Sequence, residues 1–179
     1  MPTRDPKSVN GFLISDFKYL MAYSIPLTAL IGFYNGGYWL FTTPFYIFVI
    51  IPTVEFILTR YGIDEIEIDR AEKGIHWLFD VMLYLNIPIV FGLLIYCLTK
   101  IVSYEYLSIE FLGSLLSLGL VLASNGINVA HELCHRTKTL ERFLGKFLLI
   151  PSLYMHFYLE HNYGHHLNVA TKEDPVTAK

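Results

Sequence analysis

Charge is scarce in this sequence. Of its 179 residues, 16% are Asp, Glu, Lys or Arg, well below the roughly 25% of a soluble domain. The formal net charge is -3 and no basic stripe occurs, which excludes a nucleic-acid-binding surface. Cysteine is scarcer still. Cys97 and Cys134 stand far apart and give no disulfide framework. The polar start "MPTRDPKSVN" has neither the short apolar core nor the cleavage site of a signal peptide. Internal repeats and low-complexity tracts are missing too.

What the chain has in quantity is hydrocarbon. Hydrophobic residues make up 54% and aromatics 16%, and the mean hydropathy is +0.44. The apolar residues fall in long runs, so the expected class is an all-α membrane protein in contact with the lipid bilayer. Four runs approach the ~20 residues that a span requires. They are 17–33, 38–58, 78–98 and 111–130, within one membrane domain covering 1–179. The first is short and carries Pro26, which suggests a tilted or kinked helix. "YNGGY" reads as a tight turn between the first two, and "TKIVSYEYLS" as a short loop between the last two. The stretch 140–159 is apolar but holds Arg142, Lys146 and Pro151, so it reads as an interfacial or re-entrant helical segment.

Basic residues set the orientation. Eleven of the thirteen Lys and Arg fall before the first run, between the second and third, or after the fourth; Lys18, at the very start of the first run, makes a twelfth on the same side, and Lys100 alone falls on the other. By the positive-inside rule the N-terminus and everything after Ala130 are cytoplasmic.

Five of the seven histidines sit in two short patches, "NVAHELCHRTKTL" and "LEHNYGHHLNVATKEDP". His131 and His135 are i and i+4, one face of a helix and a suitable bite for a metal. Ser124 and Asn128 continue that stripe into the membrane. Asn128 could fix the tautomer of a ligand histidine, or Asn125 and Asn128 could simply join helices. His161 and His165 repeat the bite, and His166 diverges from His165 by about 100° on a helix, as ligands to two metals would. Asp174 could orient a ligand histidine or cap the turn before Pro175. His156, off this spacing, reads as a pocket residue, His76 as interfacial and Cys134 as packing. Glu132 completes an HExxH motif, in which it would be the general base of a zinc protease. Imidazole suits iron, copper and zinc alike. In the second run Ile47, Ile51 and Glu55 share a face, a candidate wall of a substrate channel.

"NGINVAHELCHR", "EHNYGHHLNVATKEDP", "DFKYL…IPLTALIGFYN" and "IPTVEF" together resemble the bacterial alkane 1-monooxygenases, integral-membrane enzymes of the fatty acid desaturase/hydroxylase superfamily. The resemblance implies a six-helix histidine-box fold in the bacterial inner membrane, with two non-haem irons at the cytoplasmic face. It implies hydroxylation of the terminal carbon of alkanes by O2, with electrons from rubredoxin and rubredoxin reductase. By position, His131 and His135 match the first histidine box (131–135), and His161, His165 and His166 the second (161–166). A third box lies beyond Lys179 in that family, so the resemblance implies an N-terminal part of such an enzyme, inactive alone. An intramembrane zinc protease, another membrane desaturase or hydroxylase, and a non-catalytic metal-binding membrane protein are the alternatives.

Overall fold

The computed structural model describes residues 20–61, 76–165, 168–169 and 171, and all of its regular structure is helical. Helix α1 is Ser24–Asn35, entered through a tight turn at residues 20–23. Pro26 lies in its first turn, where the missing N–H has no intrahelical acceptor to lose. Gly36 ends α1 with φ +70° and returns its N–H to Gly32, a left-handed cap that favours glycine. Gly37 follows at φ +54°, so the predicted tight turn is present.

Helix α2 is Gly37–Arg60. It widens at Tyr46–Ile50, where the Ile51 N–H reaches back five residues to the Tyr46 carbonyl. Pro52 follows directly. It has no N–H to give and its ring crowds the carbonyl four residues back, which favours a re-registered turn at that point. Helix α3 is His76–Ile101 with Pro88 inside it. Helix α4 is Ile109–His135. Ser108 caps it by accepting from the Phe111 N–H at 3.2 Å, one of the orphan donors of a helix start. A second widened turn occupies Leu122–Ile127.

Among the described residues, three helices are long and apolar enough to cross a membrane: Gly37–Arg60, Leu78–Ile101 and Ile109–His135. They match the second to fourth expected runs. The first run, 17–33, lies partly outside the described residues. Its described part is the turn at 20–23 and the 12-residue α1, the latter about 18 Å long at 1.5 Å per residue.

Two short helices follow. Helix α5 is Thr139–Leu148. Helix α6 covers 157–165, α-helical at Phe157–Leu159 and widened at Glu160–His165. At about 15 Å and 14 Å, neither could cross a bilayer of about 30 Å. A core of Ala29, Phe33, Leu40, Val90, Leu93, Leu118 and Val121 holds α1–α4 together. Polar bonds add to it inside the apolar zone. The Asn125 side chain donates to the Ala22 carbonyl (3.0 Å) and to Asn86 Oδ1 (2.8 Å). Both asparagines are buried, and each such bond satisfies a group that lipid could not.

Candidate metal centre

Helix α4 leaves the apolar zone carrying His131 and His135 on successive turns, with ring centroids 4.7 Å apart. The helix stops at Arg136, whose backbone is extended, and α5 folds back against it. The close approach depends on Gly145. A Cβ there would stand 2.9 Å from the Ala130 carbonyl, 2.9 Å from Cys134 Sγ and 3.0 Å from Leu133 Cβ. Cys134 is buried in this contact, in keeping with a packing role.

The turn after α5 brings α6 over the same helix end. Phe157 stacks on His161 (centroids 4.8 Å, 14°) and meets the His131 ring nearly at right angles (5.6 Å, 82°). One apolar ring thus holds imidazoles from both patches. His161 lies with its ring centroid 4.3 Å from that of His131 and 5.1 Å from that of His135.

One ligand nitrogen from each of His131, His135 and His161 lies within 4.8 Å of the other two. Nε2 of His135 and Nε2 of His161 are 3.1 Å apart. That separation fits a single N–H···N bond. It also fits a shared ion, since two nitrogens held at roughly 2.0–2.1 Å by one small divalent ion stand about 3.0–3.4 Å apart. The trio is half-buried at His131 and His161 and exposed at His135. Three imidazoles converging on one point, with no lysine or arginine among them, fit a bound transition metal.

His165 lies beside the trio, its ring 5.6 Å from that of His161. His166 and Asp174 lie outside the described residues. His156 is not in the trio: it is exposed, packs edge-on against Tyr154 and faces Glu160 at 3.9 Å. Asn128 is exposed on α4. Ser124, further back on the expected stripe, bonds the Leu120 carbonyl inside the widened turn. Ile47 is half-buried, whereas Ile51 and Glu55 are exposed along with the rest of 51–60.

Glu132 bonds Arg136 Nε at 3.1 Å, and Arg136 also reaches Asp80 at 3.3 Å. Nearby, Tyr84 donates to Glu141 at 2.6 Å, and Lys138 reaches the same oxygen at 3.4 Å. Asp80 and Tyr84, one turn apart on α3, therefore tie down both sides of the α4–α5 corner. The Tyr84 hydroxyl, helped by Lys138, holds the buried Glu141 carboxyl below its usual range. Asp80, Tyr84, Glu141 and Phe157 were not anticipated from sequence. The available signals were Asp80 and Tyr84 spaced i, i+4 at the start of an apolar run, and Phe157 spaced i, i+4 from His161.

Residues 108–179 match the fatty acid desaturase family. The chain is 40% identical over 103 residues to alkane 1-monooxygenase 1 of Alcanivorax borkumensis, covering 56% of the chain and 25% of the relative. It is 32% identical over 147 residues to alkane 1-monooxygenase 1 of Pseudomonas aeruginosa, 81% of the chain and 38% of the relative. It is 26% identical over 168 residues to alkane 1-monooxygenase 2 of Alcanivorax borkumensis, 91% of the chain and 44% of the relative. The matched segment thus spans less than half the length of each of these curated relatives.

Proposed function

We propose that this chain, which is similar to alkane 1-monooxygenases over much of its length, forms part of a membrane-bound, non-haem di-iron hydroxylase acting on the terminal carbon of alkanes. The observation that carries this is the convergence of His131, His135 and His161 from two separate helices. His165 and His166, next in sequence, are the further ligands offered by this chain. Bound iron would supply the redox chemistry by which one atom of O2 enters the alkane and the other leaves as water, a reaction that redox-inactive zinc does not support.

The chain's own residues position that chemistry. Phe157 clamps the rings of His131 and His161. The Asp80–Arg136–Glu132 chain fixes the end of α4. The trio lies where α4 ends, so a soluble donor, rubredoxin with its reductase, reaches it from the cytoplasm while the apolar substrate arrives from lipid.

The test uses the full-length protein in membranes, with octane, O2, rubredoxin, rubredoxin reductase and NADH supplied. The expected result is 1-octanol formation and about two irons per chain, both lost in His161→Ala. A protein that carries one zinc, forms no alcohol and cleaves casein would overturn the proposal in favour of an HExxH protease.

A further inference from the structure

Helix α4 changes register before it delivers its histidines. At Leu122–Ile127 the turn is widened, and the Asn128 N–H reaches back five residues to the Ala123 carbonyl. Such a turn holds about one residue more than an α turn, so everything beyond it lags by about 100°. Burial shows the effect. Val121 faces the core. In an unbroken α-helix Asn128 and His135 would stand within about 20° and 40° of Val121 and would face the core too. Val129 and Leu133, at about 80° and 120°, would turn away from it. The reverse is seen. Asn128 and His135 are exposed, Val129 packs on the core and Leu133 is fully buried. A lag of about 100° accounts for all four positions. It aims the His131–His135 stripe away from the core and at His161 of α6, where the three ligand nitrogens converge.

Asn125 sits inside the widened turn and is 2% exposed. Its amide nitrogen donates to two other elements, the Ala22 carbonyl just before α1 at 3.0 Å and Asn86 Oδ1 on α3 at 2.8 Å. Asn86 is anchored in turn, donating to the Met82 carbonyl at 2.9 Å. Beside it the Ser124 hydroxyl donates at 2.7 Å to the Leu120 carbonyl, the acceptor that the Ser124 N–H would use in a regular α turn. Side chains that enter the backbone ladder in this way are a cause of such departures. Widened turns are rare because the α turn is the better bonded, so one persists where something outside the helix holds it. We propose that Asn125 is a positioning residue for the metal centre. By tying the widened turn to α3 and to the start of α1, it fixes the rotation of the end of α4 and so the direction in which His131 and His135 point. This deepens the reading of the trio as a metal site and rests on it.

The experiment uses the full-length protein and two readouts. The first needs no metal: with Cys97 and Cys134 changed to alanine, His135→Cys and His161→Cys are joined by a short bis-methanethiosulfonate reagent. The second is the affinity for cobalt(II), followed by its absorbance, in protein that keeps its histidines. In Asn125→Leu the turn is expected to relax to an α turn. The 135–161 cross-link should then be lost and cobalt affinity should fall about 10–100-fold, as when a group that orients metal ligands is removed. Deleting Ala123 from Asn125→Leu should restore both. Ala123 is exposed, so no core side chain goes with it, and one residue fewer gives an α turn the rotation that the widened turn has. A residue that merely stabilised the bundle would behave differently, because the deletion would then add to the damage. A deletion that deepens the loss, or Asn125→Leu with cross-link and cobalt affinity intact, would overturn the proposal. If Asn125→Leu folds poorly, Asn86→Ala, which removes one of the two ties, should give a smaller loss that the same deletion repairs. Cross-linking depends on neither iron nor alcohol formation. A protein with zinc, no alcohol and the expected cross-links would overturn the hydroxylase reading alone, and one that forms alcohol while Asn125→Leu leaves it unchanged in both readouts would overturn this proposal alone.

Discussion

At the scale of single residues, Glu132 and Glu141 carry opposite expectations. Glu132 is exposed and bonded to Arg136, which in turn holds Asp80. In a zinc protease Glu132→Gln would keep the metal and stop all chemistry. In the hydroxylase it only loosens the end of α4, so iron affinity or turnover should fall partially, on the order of 10–100-fold, as for other groups that orient metal ligands. Octane hydroxylation and iron content in the purified variant separate the two. His156→Ala should keep its iron, because His156 faces Glu160 rather than the trio. Glu141 concerns stability. Its carboxyl is held below the usual range, first by the Tyr84 hydroxyl and then by Lys138. A carboxylate depressed on folding stabilises the native state above its unfolded value, and that contribution is lost as pH falls through the folded value. Thermal melting in detergent should therefore show wild type well above Glu141→Gln at pH 7, with the gap closing as the acid range is entered. Tyr84→Phe removes the O–H from a buried acceptor and should cost about 1–3 kcal/mol at neutral pH. A pH-independent gap between wild type and Glu141→Gln would contradict this account.

At the scale of helices, the sequence states where the long apolar elements are and says little about how they are joined. A run of apolar residues has one stable outcome in lipid, a helix that satisfies its own backbone, so the second to fourth runs were legible. The effect of Pro26 was not legible, because proline in a first turn and proline in mid-helix look the same until the helix start is known. The widened turns at Tyr46–Ile50, Leu122–Ile127 and Glu160–His165 were not legible, since one extra residue in a turn leaves composition unchanged. They matter to the site: the 160–165 turn carries His161 and His165, and such turns recur at functional positions. The i, i+4 histidine pairs were legible because that spacing survives. The Asn86–Asn125 bond was half legible, because Asn125 was recognised as a possible helix joiner while Asn86 was hidden in a uniform apolar run. The α4–α5 corner supplies the prediction at this scale. Gly145→Ala places a methyl group 2.9 Å from the Ala130 carbonyl, a backbone atom that cannot swing aside. The variant should lose about 1–3 kcal/mol, the usual range for overpacking, and should bind iron more weakly, because α5 must lift from the helix that carries His131. A variant as stable as wild type, with iron undiminished, would mean the corner is looser than the contact implies.

For the whole molecule, the packing shows which parts share a face, and the charge count then bears on which face that is. The start of α3 lies beside the end of α4, because Asp80 and Arg136 are 3.3 Å apart and Tyr84 reaches Glu141. If Leu78–Ile101 and Ile109–His135 both cross, the turn 102–108 must lie on the opposite face from Asp80 and His135. Since α5 and α6 are too short to cross, His161 stays on the face of His135, as their 3.1 Å contact requires. Of the basic residues in the described parts, Arg60, Arg136, Lys138, Arg142 and Lys146 fall on the histidine face and Lys100 alone on the other, and by the positive-inside rule that distribution supports the proposal that the histidine face is cytoplasmic. The check is cysteine labelling of intact cells with a membrane-impermeant maleimide. Both native thiols are buried, and changing Cys97 and Cys134 to alanine removes any background. A cysteine at Tyr104 should then react from outside, and one at Thr137, which is exposed and two residues beyond His135, should react only after the cells are opened. Labelling at both positions from outside would mean that α4 does not cross, and labelling at Thr137 alone would invert the molecule. Either result would take the histidine site away from the cytoplasmic face, and with it the route by which a soluble electron donor is proposed to reach the metal.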